Sequence, residues 1–487
     1  MKERLPSLAP WKSPVDLYPQ GPWLLSPLVY KDYVHLVEGN VQCPDLLCQD
    51  RENSQKRLHY WNIEGRLECL RDFSYMKLEH QPLQGQVELR ENEAWGLDLL
   101  AAETMGYRSS YQDRQVIFVL PLDASEKQVF VSVLLDGHGP TQGGERVAQL
   151  LASHQGAQWL SMALKEWSSR LSKPWVEMDN SETENGLHFA MLQLQNNLRQ
   201  LISDSMHSSQ LASQAKTLAS MLQHTLKALS YQEVAMGSPL DNHIDSLASL
   251  SRDLSALETL EGVGAAAIYT FWMVDEVKDC IDVWVVSVGD SWAGCIQQNE
   301  EPSFSLVDEA IPSKPHFLEG IEARGGWVEQ DDYGIHRLNG EYSLCRGLGD
   351  LYLIRQWAEV KACVQIKGMS PRPTVSHVRF CENPQESYEL AFSNMGLWVQ
   401  HCDGLKEGGT LTSDQITSFL KEQMIQHADL NKSLAQLIER AVKGGSQDNC
   451  TVQLIDLRPL VKHSNRKRFY RQSLSLKVNR GIFQGFV

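Results

Sequence analysis

Apolar positions in this chain follow two periods. Residues 129–135 form an almost unbroken apolar run that stops at Asp136-Gly137-His138-Gly139. A β-branched run of that length, closed by glycines, predicts a buried strand and then a sharp turn. Further strands are predicted at 116–120, 265–274, 282–288 and 451–455, and residues 389–392 and 397–400 read as a hairpin. Helical spacing governs the intervals between them. Val147, Leu150, Leu151, Trp159, Leu160 and Leu164 predict one helix over 144–171. A polar helical stretch follows from about 179 to 260, broken at Gly237-Ser238-Pro239. Shorter helices are predicted at 317–323, 411–424 and 433–442. Arg324-Gly325-Gly326 stops the first of these.

This reading divides the 487 residues into three parts. Residues 1–95 are rich in Trp, Tyr, Leu and Pro, a density of aromatic residues that usually packs, but no chemistry is visible in them. Residues 96–457 carry the strands and helices. Residues 458–487 form a basic tail, with Arg458, Lys462, Arg466, Lys467, Arg468, Arg471, Lys477 and Arg480 and no acid. The tail reads as a solvated terminus, dispensable for chemistry. The alternative is a contact with an acidic partner or an anionic lipid surface.

Composition narrows the function. A formal net charge of −16 argues against a general nucleic-acid binder, whose phosphate contacts need a basic surface. No run of 18 apolar residues predicts a membrane span, and the first residues lack the apolar core of a signal peptide. The ten cysteines have no repeated spacing, and Cys43, Cys48 and Cys69 lack a second ligand pair for zinc. A soluble, cytoplasmic protein with free thiols is expected.

The candidate chemistry lies in four acids. Asp136, Asp290, Asp403 and Asp448 each adjoin a predicted core strand. If they converge at one end of a sheet assembly, their charges repel unless cations neutralise them. Oxygen donors favour Mg²⁺ or Mn²⁺ over zinc or copper. Two such ions about 4 Å apart can share a carboxylate and lower the pKa of a water between them. Arg108 offers a fork suited to a phosphate dianion, and His138 could protonate a leaving oxygen. A metal-assisted phosphoester hydrolase is the result. A cysteine phosphatase fits less well, because Gly408 stands where its loop needs an Arg after Cys402. No Gly-x-x-x-x-Gly-Lys loop and no Gly-x-Ser-x-Gly elbow is present.

The same residues fall into a familiar order. Arg108…Asp113, Asp136-Gly137-His138-Gly139, Gly262-Val263-Gly264, Gly289-Asp290-Ser291, Asn339-Gly340…Arg346-Gly347-Leu348-Gly349-Asp350, Cys402-Asp403-Gly404-Leu405 and residues 445–452 follow one another. The series resembles the metal-dependent Ser/Thr protein phosphatases of type 2C (the PPM family) over roughly residues 103–457. The resemblance implies an α+β fold. It has a central β-sandwich of two mainly antiparallel sheets flanked by helices, here with a helical insertion at about 172–260. It implies hydrolysis of phosphoserine and phosphothreonine in a phosphorylated protein substrate, with two Mg²⁺ or Mn²⁺ and a weaker third ion. Asp136 then matches the bridging acid, with the Gly137 carbonyl on the second ion. Asp403 and Asp448 match the other metal acids, Arg108 the phosphate arginine and His138 the general acid. Asp113 matches an acid that acts near the second ion through waters, and Asp290 an acid of the third ion. Three departures stand out. Gln112 replaces a glutamate beside Asp113, Trp292 replaces an arginine, and Lys406-Glu407 replaces an aromatic-Asp pair. Two other functions compete with catalysis. One is a pseudophosphatase scaffold that keeps the fold without turnover. The other is an interaction protein that works through residues 1–95 and the tail.

Overall fold

In the computed structural model the described residues run from 88 to 467, apart from 203–261 and several short loops. A short antiparallel pair, His59–Trp61 with Leu67–Cys69, precedes them. The chain folds as a β-sandwich between helical layers. One sheet takes its strands in the order Glu389–Ala391, Thr374–Cys381, Cys280–Val288, Gly264–Asp275, Gln128–His138 and Arg114–Pro121, with Leu348–Gly349 paired onto Gly264–Asp275. Its neighbours are antiparallel except Thr374–Cys381 with Glu389–Ala391. The second sheet runs Phe304–Ser305, Trp292–Ile296, Leu397–His401, Cys450–Asp456, Leu97–Thr104 and Glu88–Ala94, all antiparallel.

Strand alternation explains the long apolar runs. Phe130 points into the sandwich with Ile268, Trp272 and Val283, where they meet Trp398 and Ile455 of the second sheet. Trp272 and Trp398 touch edge to face across the layers, 5.1 Å between ring centroids. Val131, Val133 and Leu135 point the other way, onto Val147, Leu160 and Leu194 of the helices. The second sheet likewise turns Leu397, Val399 and Leu454 to Leu420, Leu434 and Ile438 of helices Ser413–Ile425 and Leu430–Lys443. No helix among the described residues is long and apolar enough to cross a membrane.

Several expectations are corrected. The helix predicted over 144–171 is two, Gly143–Leu151 and His154–Leu171, and Ser153 caps the second by accepting from the Gly156 amide at 3.4 Å. Residues 389–392 and 397–400 do not form a hairpin. The 3-10 turn Phe392–Asn394 carries the chain from one sheet to the other, and buried Phe392 anchors the crossing. The division at residue 95 falls inside the hairpin Glu88–Ala94/Leu97–Thr104, which belongs to the sandwich. The tail does not start as a solvated segment either. Arg458–Val461 is a 3-10 turn with Leu460 buried, and residues 463–467 are helical. Arg466 is only 3% exposed and donates to Asp279 at 3.2 Å and Glu382 at 2.7 Å, with its guanidinium over the Phe392 ring. The insertion begins as a core layer: residues 180–202 are helical, and Leu187, Met191 and Leu198 pack against the first sheet. Its continuation through 203–261 lies outside the described residues.

Candidate metal and phosphate site

Four strand ends deliver the predicted acids to one place. Asp136 sits opposite Ala266 in the Gln128–His138/Gly264–Asp275 ladder. Asp290 follows the strand Cys280–Val288, and Asp403 follows Leu397–His401 and opens the 3-10 turn Asp403–Leu405. Asp448 precedes the strand Cys450–Asp456. All four line one cleft of about 470 Å³, together with Arg108, Gln112, Gly137 and His138. An oxygen from each of Asp136, Asp290 and Asp403 lies within 4.8 Å of the others. A second group at the same spacing joins Asp113, Asp136 and the Cys402 sulfur. Asp136 is common to both. Asp113 does not line the cleft. It is buried behind it and accepts a hydrogen bond from Thr451 Oγ1 at 2.6 Å.

The backbone at Gly137 has no space for a side chain, since a Cβ there would lie 2.4 Å from the Gly144 carbonyl oxygen. The Gly143–Leu151 helix is thereby pressed against the strand end that carries Asp136 and His138.

Without cations three of these carboxyls, those of Asp136, Asp290 and Asp448, resist ionisation. Burial, then the charges of Asp113 and Asp403, push the Asp136 carboxyl well above its ordinary range. Burial and Asp403 raise Asp290 to about 7. Asp448 also rises to about 7, for the same two reasons, although Arg108 opposes the shift. Such a cluster of hard oxygen donors fits a divalent cation. Arg108 is half exposed, and its Nη2 donates to Asp448 Oδ2 at 2.6 Å.

One residue beyond the predicted set touches the site chemistry. Asp350, fully buried, lies 2.6 Å from His138 Nε2. Burial alone would lower the pKa of His138, but the charge and hydrogen bond of Asp350 outweigh it and raise it. Asp350 adopts φ +54°, after Gly349 at +95°, so the acid is held in a turn that L-residues seldom adopt. Its place after Gly347-Leu348-Gly349 was the signal in the sequence. A glycine-flanked acid has no partner assigned by spacing, so its pairing with His138, 212 positions away, was not legible.

No family model matches the chain. Among solved structures, a phosphatase from Toxoplasma gondii superposes with a TM-score of 0.42 at 16% identity, over 76% of this chain and 94% of that one. A serine-threonine phosphatase 2C from the same organism gives 0.41 at 13%, over 80% of this chain and 99% of that one. Human protein phosphatase 1A is 28% identical over 177 residues, which are 35% of this chain and 39% of the relative. Protein phosphatase ppm-1.A of Caenorhabditis elegans is 27% identical over 172 residues, 35% of this chain and 31% of the relative. Over these stretches the chain is similar to protein phosphatases 1A and ppm-1.A. The match spans about two fifths or less of these curated relatives.

The three departures from the type 2C pattern have distinct settings. Gln112 is buried at the cleft, and its backbone amide donates to Asn449 Oδ1 at 2.6 Å. Trp292 is buried and stacks on His401, 5.3 Å between centroids. Glu407 accepts from the Gln447 amide at 2.8 Å, beside Asp448, whereas Lys406 turns toward Asp290.

Proposed function

We propose that this protein hydrolyses phosphoserine and phosphothreonine esters in proteins with the help of divalent metal ions. The observation that carries the reading is the convergence of acid oxygens from four strand ends beside Arg108 and a His138–Asp350 pair in one cleft. Asp136, Asp403, Asp448 and the Gly137 carbonyl would hold two Mg²⁺ or Mn²⁺, with Asp113 and Gln112 close behind. Bound there, the ions supply positive charge that acidifies water near neutral pH and offsets the phosphate charge. Arg108 presents its guanidinium to the phosphoryl oxygens. His138 gives its proton to the serine or threonine oxygen as the P–O bond breaks and a water oxygen bonds to phosphorus, the water losing a proton to solvent. Asp350 holds the imidazole in place and favours its protonated form. The substrate is a phosphorylated protein, and the acidic chain has no call for nucleic acid.

Phosphate release from a phosphothreonine peptide, with Mn²⁺ or with excess chelator, tests this reading. Turnover with Mn²⁺ that chelator and Asp403→Asn both abolish is expected. Full turnover in chelator would sink the reading. A second reading rests on Gln112, which puts a neutral amide where an acid would attract an ion. In that case the protein binds phosphopeptides as a scaffold, and the same assay finds binding without release.

A further inference from the structure

Lys406 stands one turn past Asp403. Its amide donates to the Asp403 carbonyl at 2.7 Å, closing the 3-10 turn Asp403–Leu405. The turn sends the side chain back toward the strand end of the opposite sheet. There Nζ donates to the Asp290 carbonyl oxygen at 3.2 Å and pairs with the Glu309 carboxylate. Both supports are fixed by backbone. The residue after Glu309, Ala310, donates its amide to the Gly289 carbonyl at 2.8 Å, so this loop is tied to the turn that carries Asp290. The ammonium is largely buried, with 18% of the side chain exposed. Burial works against its charge, but Glu309 first and then Asp403 and Asp290 stabilise it, and it in turn favours the ionised form of Asp290.

The trio Asp136, Asp290 and Asp403 has ligand spacing. On its Asp290 side it already has an ammonium supplied by the chain and held by Glu309. A dication entering that side would meet like charge in a buried place, where screening is weak. The group Asp113, Asp136 and Cys402 has a cation of its own beside Asp113, Arg114, whose guanidinium donates to the Asp113 carbonyl at 2.6 Å and pairs with Glu145 at 2.5 Å.

We propose that Lys406 is a built-in cation that neutralises the Asp290 flank of the acid cluster and bars one divalent ion from it. This inference rests on the reading of the cluster as a divalent-metal site. It makes Asp290 a neighbour of the protein's own ammonium rather than a ligand.

The test counts bound metal without reference to turnover. The full chain and its variants are dialysed against a series of Mn²⁺ concentrations, and bound manganese per chain is measured by elemental analysis. Lys406→Met is expected to hold one more Mn²⁺ per chain than the parent. Lys406→Gln, which keeps a donor for the Asp290 carbonyl, should gain the same ion and guards against a misfolded methionine variant. Lys406→Arg, which keeps the charge, should match the parent. Equal, non-zero counts in the parent and both neutral variants would overturn the proposal and leave the metal-site reading standing. A parent that binds no Mn²⁺ would overturn both.

Discussion

His138 depends on a residue far away in sequence. Asp350 holds it at 2.6 Å and raises its pKa against the effect of burial. Asp350→Asn removes that charge, so the imidazolium should lose its proton at lower pH. A raised pKa keeps the acid form present below it, so the alkaline limb of the pH–rate profile should move down. Phosphate release near neutral pH should fall about 10²- to 10⁴-fold, the usual worth of a general acid. A profile that keeps its limb would remove Asp350 from the mechanism. A second acid works for stability alone. Asp282 accepts from His377 at 2.7 Å and from Arg379 at 2.8 Å. Burial would raise its pKa, but these bonds outweigh burial and hold it below the ordinary 3.8. Its contribution is therefore complete above that value and is lost as pH falls below it. Asp282→Asn should cost roughly 1–3 kcal/mol near neutral pH. Denaturant titrations of parent and variant should converge as the pH drops through the acid range.

Elements place these residues, and here the sequence was informative in part. The strands at 128–138, 264–275, 280–288, 397–401 and 450–456 were legible because they are buried on both faces and read as continuous apolar runs. Each of the four acids could be placed because it ends or begins such a run. Thr374–Cys381 was not legible, since most of its residues are only partly buried and its apolar pattern is diluted. Trp292–Ile296 is five residues long and follows closely on the preceding strand, so it merged with the turn at Asp290. The crossing at Phe392–Asn394 resembled a hairpin because local spacing does not reveal which sheet a strand joins. The helix over 180–202 opens the expected insertion, yet it reaches the turn that holds Asp350. Gln195 donates to the Gly349 carbonyl at 2.7 Å and accepts from the Gly349 amide at 2.8 Å. Gln365 adds bonds to the Gly349 and Asp350 carbonyls, both at 3.1 Å. These amides hold the left-handed turn that aims Asp350 at His138. Gln195→Leu takes this partner from the buried Gly349 amide, at a cost of about 1–3 kcal/mol, while Gln365 still donates to the Gly349 carbonyl. The expected outcome is a lower melting temperature together with a lower kcat at nearly constant KM. A stable variant with unchanged kcat would show the clamp to be dispensable.

At the scale of the molecule, the two sheets share the site between them. Asp136 and Asp290 come from the first, Asp403 and Asp448 from the second. The C-terminal segment helps to close the assembly, contrary to its reading as a solvated tail. Arg466 pairs with Asp279 and Glu382, and Leu460 joins the inter-sheet core. Truncation after Leu457 should therefore lower stability, and Arg466→Ala alone should cost roughly 1–3 kcal/mol. Chemical denaturation of both variants measures this, and full stability of the truncated chain would return the tail to solvent.

Because each sheet supplies half of the acids, the cleft exists only while the sheets are docked. Apart, the carboxylates are hydrated and far from one another. Together, they repel, so the empty site works against closure of the sandwich. An ion held between them reverses that sign and becomes a rivet for the fold. By mass action, a ligand at 100 times its Kd that ignores the unfolded chain adds about 2.7 kcal/mol to stability. Calorimetric scans should thus show a melting temperature several degrees higher in Mn²⁺ than in chelator, and Asp136→Asn should erase the difference. The metal content of its surroundings would then set how much of the chain stays folded.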